Sequence, residues 1–251
     1  MNTQKASPLP IAAPDTTPWL MLFSRITLFA LCQALLALGF FLIGTPQAWE
    51  PAANWWLLTV AAADAICLVL LVRVFAAEGN RFWSLFRIER AHIKGDLLVM
   101  LVVTVLVAPI SYLPNIWVAQ ALFGSPEATL DLIVRPLPFW AVVAAMLLFS
   151  IGQGLTELPT YFGYVMPRLQ RQEMRKWLAV LIPSMVLALQ HVAAPLLFDA
   201  RFIAWRGLMF IPFALFAGVT LYWRPRLMPY VVAVHIFMDM TFAAMFLGVA
   251  Y

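Results

Sequence analysis

Apolar runs of about 20 residues recur along the whole chain and are separated by short polar loops. As an α-helix, a run of this length crosses the hydrocarbon core of a bilayer, which is about 30 Å thick. Only 11% of the 251 residues are charged and 64% are hydrophobic, whereas soluble domains carry about a quarter charged residues. The chain is therefore predicted to be an all-α, polytopic transmembrane helical bundle.

The hydropathy pattern predicts about seven membrane spans. They cover approximately residues 19–44, 55–75, 96–123, 136–166, 177–198, 202–223 and 228–250. A break of the third span at Pro109 or Pro114 would add a short re-entrant segment or an eighth membrane segment. Residues 1–17 are rich in Pro and Ala and are predicted to be a disordered cytoplasmic tail, and residues 18–251 a single transmembrane domain.

Basic side chains are concentrated in alternate loops, after spans two, four and six. They are Arg73, Arg81, Arg87, Arg90, Lys94, Arg168, Arg171, Arg175, Lys176, Arg224 and Arg226. The positive-inside rule places these loops and the N-terminus in the cytoplasm, and the C-terminus across the membrane. Nucleic acid is not expected as a partner, because the net charge of +4 is spread along loops that flank the lipid bilayer.

Four ionisable side chains lie inside or against apolar spans: Glu157, His191, His235 and Asp239. A charge at the centre of a bilayer costs roughly 2.5–3.5 kcal/mol on insertion scales, so residues kept there are expected to be functional. The helical rise of about 1.5 Å per residue places all four in one layer on the cytoplasmic side of the midplane. We therefore expect them to converge on one cavity.

Spacing along the helices supports this convergence. His235 and Asp239 are four residues apart and share one helix face.

Asp64 is a further deep acid, which is expected either to pair with Arg25 or to line the cavity. Cys32 and Cys67 lack metal-ligand spacing and are predicted to be packing residues.

Three segments resemble the motifs of the CPBP intramembrane proteases, the family of CAAX-processing and bacteriocin-processing (Abi) enzymes. Residues 157–169, ELPTYFGYVMPRL, resemble the first motif, Glu-Glu-x-x-x-Arg followed by Gly-Tyr and Pro-Arg-Leu. Residues 187–191, LALQH, resemble the second, Phe-x-x-x-His, and residues 235–239, HIFMD, resemble the third, His-x-x-x-Asn/Asp. The protease-like core is accordingly predicted at about 130–251.

The resemblance implies an intramembrane endopeptidase of a bacterial inner (plasma) membrane. Its substrates would be membrane-proximal, lipidated or leader-bearing peptides, or membrane proteins. By analogy Glu157 would activate the attacking water and His191 would assist. His235 and Asp239 would hold the carbonyl oxygen or the developing oxyanion.

The first motif departs from the family pattern at two positions, because Leu158 stands in place of the second Glu and Phe162 in place of the Arg. A non-catalytic relative that binds peptides or membrane partners is therefore an alternative. A proton-coupled transporter with a Glu and His relay is a second alternative.

A metal-free mechanism without a cofactor is favoured from the sequence. Two imidazoles and a carboxylate suit zinc, with Glu157, His191 and His235 as the ligands. However, the chain has no HExxH motif, and these residues come from three separate helices.

Overall fold

The computed structural model describes residues 16–251, and in this part of the chain all regular secondary structure is helical. The α-helices are α1 (Thr17–Leu42), α2 (Trp49–Asn54), α3 (Trp56–Ala77), α4 (Ile93–Phe123), α5 (Glu127–Ile133), α6 (Phe139–Leu158), α7 (Met166–Arg171), α8 (Lys176–Gln190), α9 (Ala200–Met209), α10 (Ile211–Trp223) and α11 (Met228–Ala244). The prediction of an all-α bundle is confirmed. Residues 1–15 of the predicted tail lie outside the described residues. Helix α1 begins at Thr17, which is the last residue of the predicted tail.

Six helical segments within residues 16–251 are long and apolar enough to cross a membrane. They are Thr17–Leu42, Trp56–Ala77, Phe82–Phe123, Phe139–Arg171, Ala200–Trp223 and Pro225–Val249. The fifth predicted span corresponds to α8, which is apolar but has only 15 residues. At 1.5 Å per residue α8 is about 22 Å long. Residues 16–251 thus form a polytopic membrane bundle of six long helical segments and the short helix α8.

The fifth span was predicted to continue to residue 198, and this end is wrong. Helix α8 stops at Gln190, and the chain continues without a helix to Asp199. Pro195 lies ahead and disfavours helical geometry in the residue before it. The irregular backbone is tolerated at this depth because side chains bind it: Arg206 donates to the carbonyl oxygens of His191 and Ala194.

The break considered at Pro109 or Pro114 does not occur, because α4 runs through both prolines. A proline inside a helix costs about 3 kcal/mol. A break in contact with lipid would leave several backbone groups without partners, and each of these costs several kcal/mol. A continuous helix is therefore the less costly solution.

A π-helical segment, Pro159–Val165, joins α6 to α7 directly after the first candidate residue. Such wide turns within α-helices are frequent at functional sites. All seven of its residues are buried. The segment therefore fixes the end of α6 inside the bundle.

Helix α6 lies at the centre of the bundle, where it packs against α3 on one side and α11 on the other. Helix α1 packs on α3, and α8 packs on α10. Close approach of α6 and α11 depends on Gly154, where an added Cβ would lie 2.3 Å from a side-chain carbon of Ile236. This arrangement brings the ends of α6 and α8 to the same level as the middle of α11.

Candidate active site

Glu157 lies one residue before the end of α6 and is 1% exposed. Its Oε2 accepts a hydrogen bond of 2.6 Å from Nε2 of Gln190. Its Oε1 receives no hydrogen bond from any described residue. One carboxylate oxygen is therefore fixed by the protein, and the other is free to act on a bound molecule.

His191 directly follows α8, and its Nε2 lies 3.7 Å from Oε2 of Glu157. Its Nδ1 lies 3.0 Å from the carbonyl oxygen of Leu187 and 3.3 Å from that of Ala188. Because both neighbours are acceptors, Nδ1 carries the hydrogen, and Nε2 of the neutral ring has a lone pair that faces Glu157. Stacking on Phe210, with 3.6 Å between ring centroids, holds the ring in this orientation.

His235 approaches Glu157 from α11, with its Nε2 3.6 Å from Oε1. The same nitrogen lies 3.2 Å from Oδ2 of Asp239, one helical turn further on. Since Nε2 faces two carboxylates, this nitrogen carries the hydrogen in His235. The two imidazoles therefore present opposite functions to Glu157, an acceptor from His191 and a donor from His235.

The structure thus brings together all four residues that the sequence singled out. The separations of 3.6 and 3.7 Å between Glu157 and the imidazoles exceed those of direct hydrogen bonds. A water molecule can bridge polar groups that are separated by more than 3.5 Å. An acid, an acceptor and a donor around such a position form a set of groups suited to hydrolysis.

A buried polar network behind Glu157 was only partly expected from the sequence. Arg25, on α1, pairs with Asp64, on α3, at 2.7 Å, which is one of the two arrangements considered for Asp64. The Nε of Arg25 donates to Oε1 of Gln190 at 2.8 Å, and the Tyr161 hydroxyl donates to the same oxygen at 3.0 Å. Gln190 therefore connects Arg25 to Glu157.

Two further polar residues at the site were missed in the sequence. Gln190 directly precedes His191 and is fully buried, and Arg206 lies inside a predicted span and is 4% exposed. A long polar side chain inside an apolar run needs an internal partner, which was the available signal for both. The partner of each lies on another helix or on irregular backbone, so the sequence could not name it.

A cavity of about 570 Å³ opens from these residues. Its walls are mainly aromatic and apolar, including Trp56, Trp205 and Phe242, and Glu157, His191 and His235 lie along it. It extends to the exposed side chains of Glu127 and Leu130 on α5. Since α4 begins beside the basic loop and α5 follows its far end, this mouth lies at the end of the bundle opposite the basic loops.

Residues 138–241 match the family model described as Rce1-like, type II CAAX prenyl endopeptidase Rce1-like. The resemblance to the CPBP intramembrane proteases is thereby confirmed for this region, which contains the four candidate residues. The protein is accordingly an integral membrane protein with a region similar to the type II CAAX prenyl endopeptidases. No curated protein and no solved structure matched the chain.

The sequence also suggested Glu157, His191 and His235 as the ligands of a zinc ion. Among residues 16–251 no group of three His, Cys, Asp or Glu side chains is arranged to hold a metal ion. The metal-free mechanism and its zinc alternative both stay predictions.

Proposed function

We propose that this protein is an intramembrane endopeptidase in which Glu157 activates water for attack on a peptide bond. The observation that carries the proposal is the position of Glu157 between two imidazoles, 3.7 Å from Nε2 of His191 and 3.6 Å from Nε2 of His235. A binding protein needs no such arrangement around a carboxylate that is otherwise fully buried.

The proposed reaction assigns a different role to each of the two rings. Glu157 takes a proton from water as the water oxygen bonds to the peptide carbonyl carbon. His191 presents the lone pair of Nε2 and orients this water. The Nε2–H of His235 donates to the oxyanion that forms, and Asp239 orients His235; a donor of this kind contributes roughly 10²–10³-fold to the rate. Glu157 then gives its proton to the leaving amine as the C–N bond breaks.

The cavity supports a peptide or a segment of a membrane protein as the substrate. Its volume of about 570 Å³ is within the range of about 300–1,000 Å³ that ligand sites occupy. If the protein lies in a bacterial inner membrane with its N-terminus in the cytoplasm, the mouth at α5 faces away from the cytoplasm. The substrate then enters from the side away from the cytoplasm, whereas the estimated depth of the four residues placed them on the cytoplasmic side of the midplane.

The proposal is tested by comparing membranes that contain the wild-type protein with membranes that contain Glu157→Gln. Gln keeps the shape of the side chain and removes the base, so we expect the rate of cleavage to fall by roughly 10²–10⁴-fold. New peptide termini identified by mass spectrometry should be present with wild type and absent with the variant.

Glu50→Gln, which changes an exposed glutamate on α2, is the matched control and should keep the wild-type set of termini. Equal sets of termini with wild type and Glu157→Gln would contradict the proposal. The presence of bound peptides without any new termini would instead support the non-catalytic alternative.

A further inference from the structure

The first motif of this chain lacks the charged pair that the family pattern has beside its first Glu. Leu158 and Phe162 occupy those positions, and they are 0% and 3% exposed. Both belong to the main apolar cluster, so the region matched by the family supplies no charge there. A cation that takes the place of this pair must come from another position in the chain.

Arg25 is a cation that reaches Glu157, with its Nη2 3.8 Å from Oε2 of the carboxylate. Its side chain is fully buried, and every nitrogen of the guanidinium has a partner. Nε donates to Gln190, Nη1 to Asp64 and Thr156, and Nη2 to Gln153. A buried guanidinium is retained only when it is paired in this way.

The network extends beyond an ion pair between α1 and α3. Gln190 accepts from Arg25 through its oxygen and donates from its nitrogen to Oε2 of Glu157, at 2.6 Å. Arg25 and the Tyr161 hydroxyl both donate to the amide oxygen, so the amide nitrogen must face the carboxylate. Arg25 therefore determines which oxygen of Glu157 is held and which one faces His235.

We propose that Arg25 and Asp64 are a positioning pair for Glu157, supplied by helices outside the family-matched region, and that they replace the charged pair missing at Leu158 and Phe162. Asp64 holds the guanidinium in place with its Oδ1, 2.7 Å from Nη1. The guanidinium, through Gln190, holds the carboxylate of Glu157. This inference rests on the proposed peptidase function.

The alternative is a purely structural pair, and removing both charges separates the two roles. Arg25→Leu alone leaves Asp64 buried without a cation and is expected to impair folding. Replacing both members of a buried ion pair by apolar residues is often neutral for stability. The double variant R25L/D64L should therefore regain the wild-type unfolding temperature in detergent.

The proposal predicts that the folded double variant stays impaired, with kcat lowered about 10²-fold, as expected for a displaced reacting group, and KM unchanged. Arg25→Lys keeps the charge beside Asp64 but has no planar guanidinium to donate to Gln190. Its kcat should therefore lie between that of R25L/D64L and that of wild type. The matched control is E78L/R168L, which removes another closely paired Arg and carboxylate, 2.5 Å apart, and should keep the wild-type kcat.

Wild-type kcat in R25L/D64L would overturn the inference. If that variant fails to fold, Arg25→Lys decides: an undiminished kcat overturns the inference, and a lowered kcat at unchanged KM supports it. Glu157→Gln is assayed in parallel. Loss of cleavage in Glu157→Gln together with full activity in R25L/D64L refutes only the positioning role, whereas full activity in Glu157→Gln refutes the proposed function itself.

Discussion

Asp239 contacts the site through His235, with its Oδ2 3.2 Å from Nε2. Asn keeps the shape of the side chain and an oxygen beside this nitrogen, so Asp239→Asn should keep kcat within about tenfold of wild type. Asp239→Ala removes this contact and leaves the ring free to turn, and kcat should fall roughly 10²-fold. Steady-state cleavage by the two variants, with unfolding temperatures as the control for folding, measures the difference. Equal activity of the two variants would show that Asp239 does not orient His235.

At the scale of residues, the sequence singled out four ionisable groups of the candidate site and missed Arg206 and the amide of Gln190. Glu157 and His235 stood out because charge is costly in an apolar run. Gln190 did not stand out, since a neutral amide carries a smaller penalty. Its position between Arg25 and Glu157 depends on the packing of α1 against the end of α8, which hydropathy does not specify.

The junction between the end of α3 and α7 depends on Arg168, which lies 2.5 Å from Glu78. Glu78 follows the last residue of α3, outside the spanning segment. Its hydrogen bond from Arg168 holds the pKa of Glu78 below the ordinary value of 4.5, although burial acts in the opposite direction. The pair should therefore stabilise the fold above pH 4.5, and this contribution should be lost as the pH falls through the lowered pKa.

Thermal unfolding in detergent between pH 3 and 6 measures this effect. The unfolding temperature of wild type should exceed that of Glu78→Gln at the upper end of this range, and the two should converge at the lower end. Glu50→Gln, an exposed change on α2, should match wild type throughout. A difference between wild type and Glu78→Gln that does not depend on pH would refute the electrostatic role of this pair.

At the scale of helices, the existence and order of the spans were predictable and some of their ends were not. Hydropathy located α4 correctly, and its two prolines suggested a break that the surrounding lipid makes too costly. The early end of α8 was missed because residues 191–198 are apolar and read as more helix. Their irregular backbone is held by Arg206 and by Gln33, which bonds both the amide and the carbonyl group of Leu196.

The cavity that joins the site to α5 makes a prediction about the whole molecule. Leu130 lines the cavity at its mouth and is 40% exposed. Leu130→Trp should narrow the path without touching Glu157, so KM should rise severalfold while kcat stays near wild type. Leu35→Trp, on the exposed face of α1, is the matched control and should change neither constant. An unchanged KM in Leu130→Trp would place the substrate path elsewhere.

At the scale of the molecule, the fold class followed from composition and from the apolar runs of about 20 residues, because a run of this length crosses a bilayer as a helix that satisfies its own backbone hydrogen bonds. The motifs of residues 157–239 pointed to the candidate site. The contribution of the first two spans to the site was not predictable in the same way, since Arg25 and Asp64 belong to no motif. Only their packing around α6 shows that the N-terminal half of the chain contributes to the site.

The most direct measurement is single-turnover cleavage of a substrate peptide in water enriched in ¹⁸O, with the purified protein in lipid vesicles. We expect wild type to place one ¹⁸O atom in the new carboxyl group, and Glu157→Gln to release no fragment in the same time. Release of labelled fragment by Glu157→Gln at the wild-type rate would contradict the assignment of Glu157 as the group that activates water.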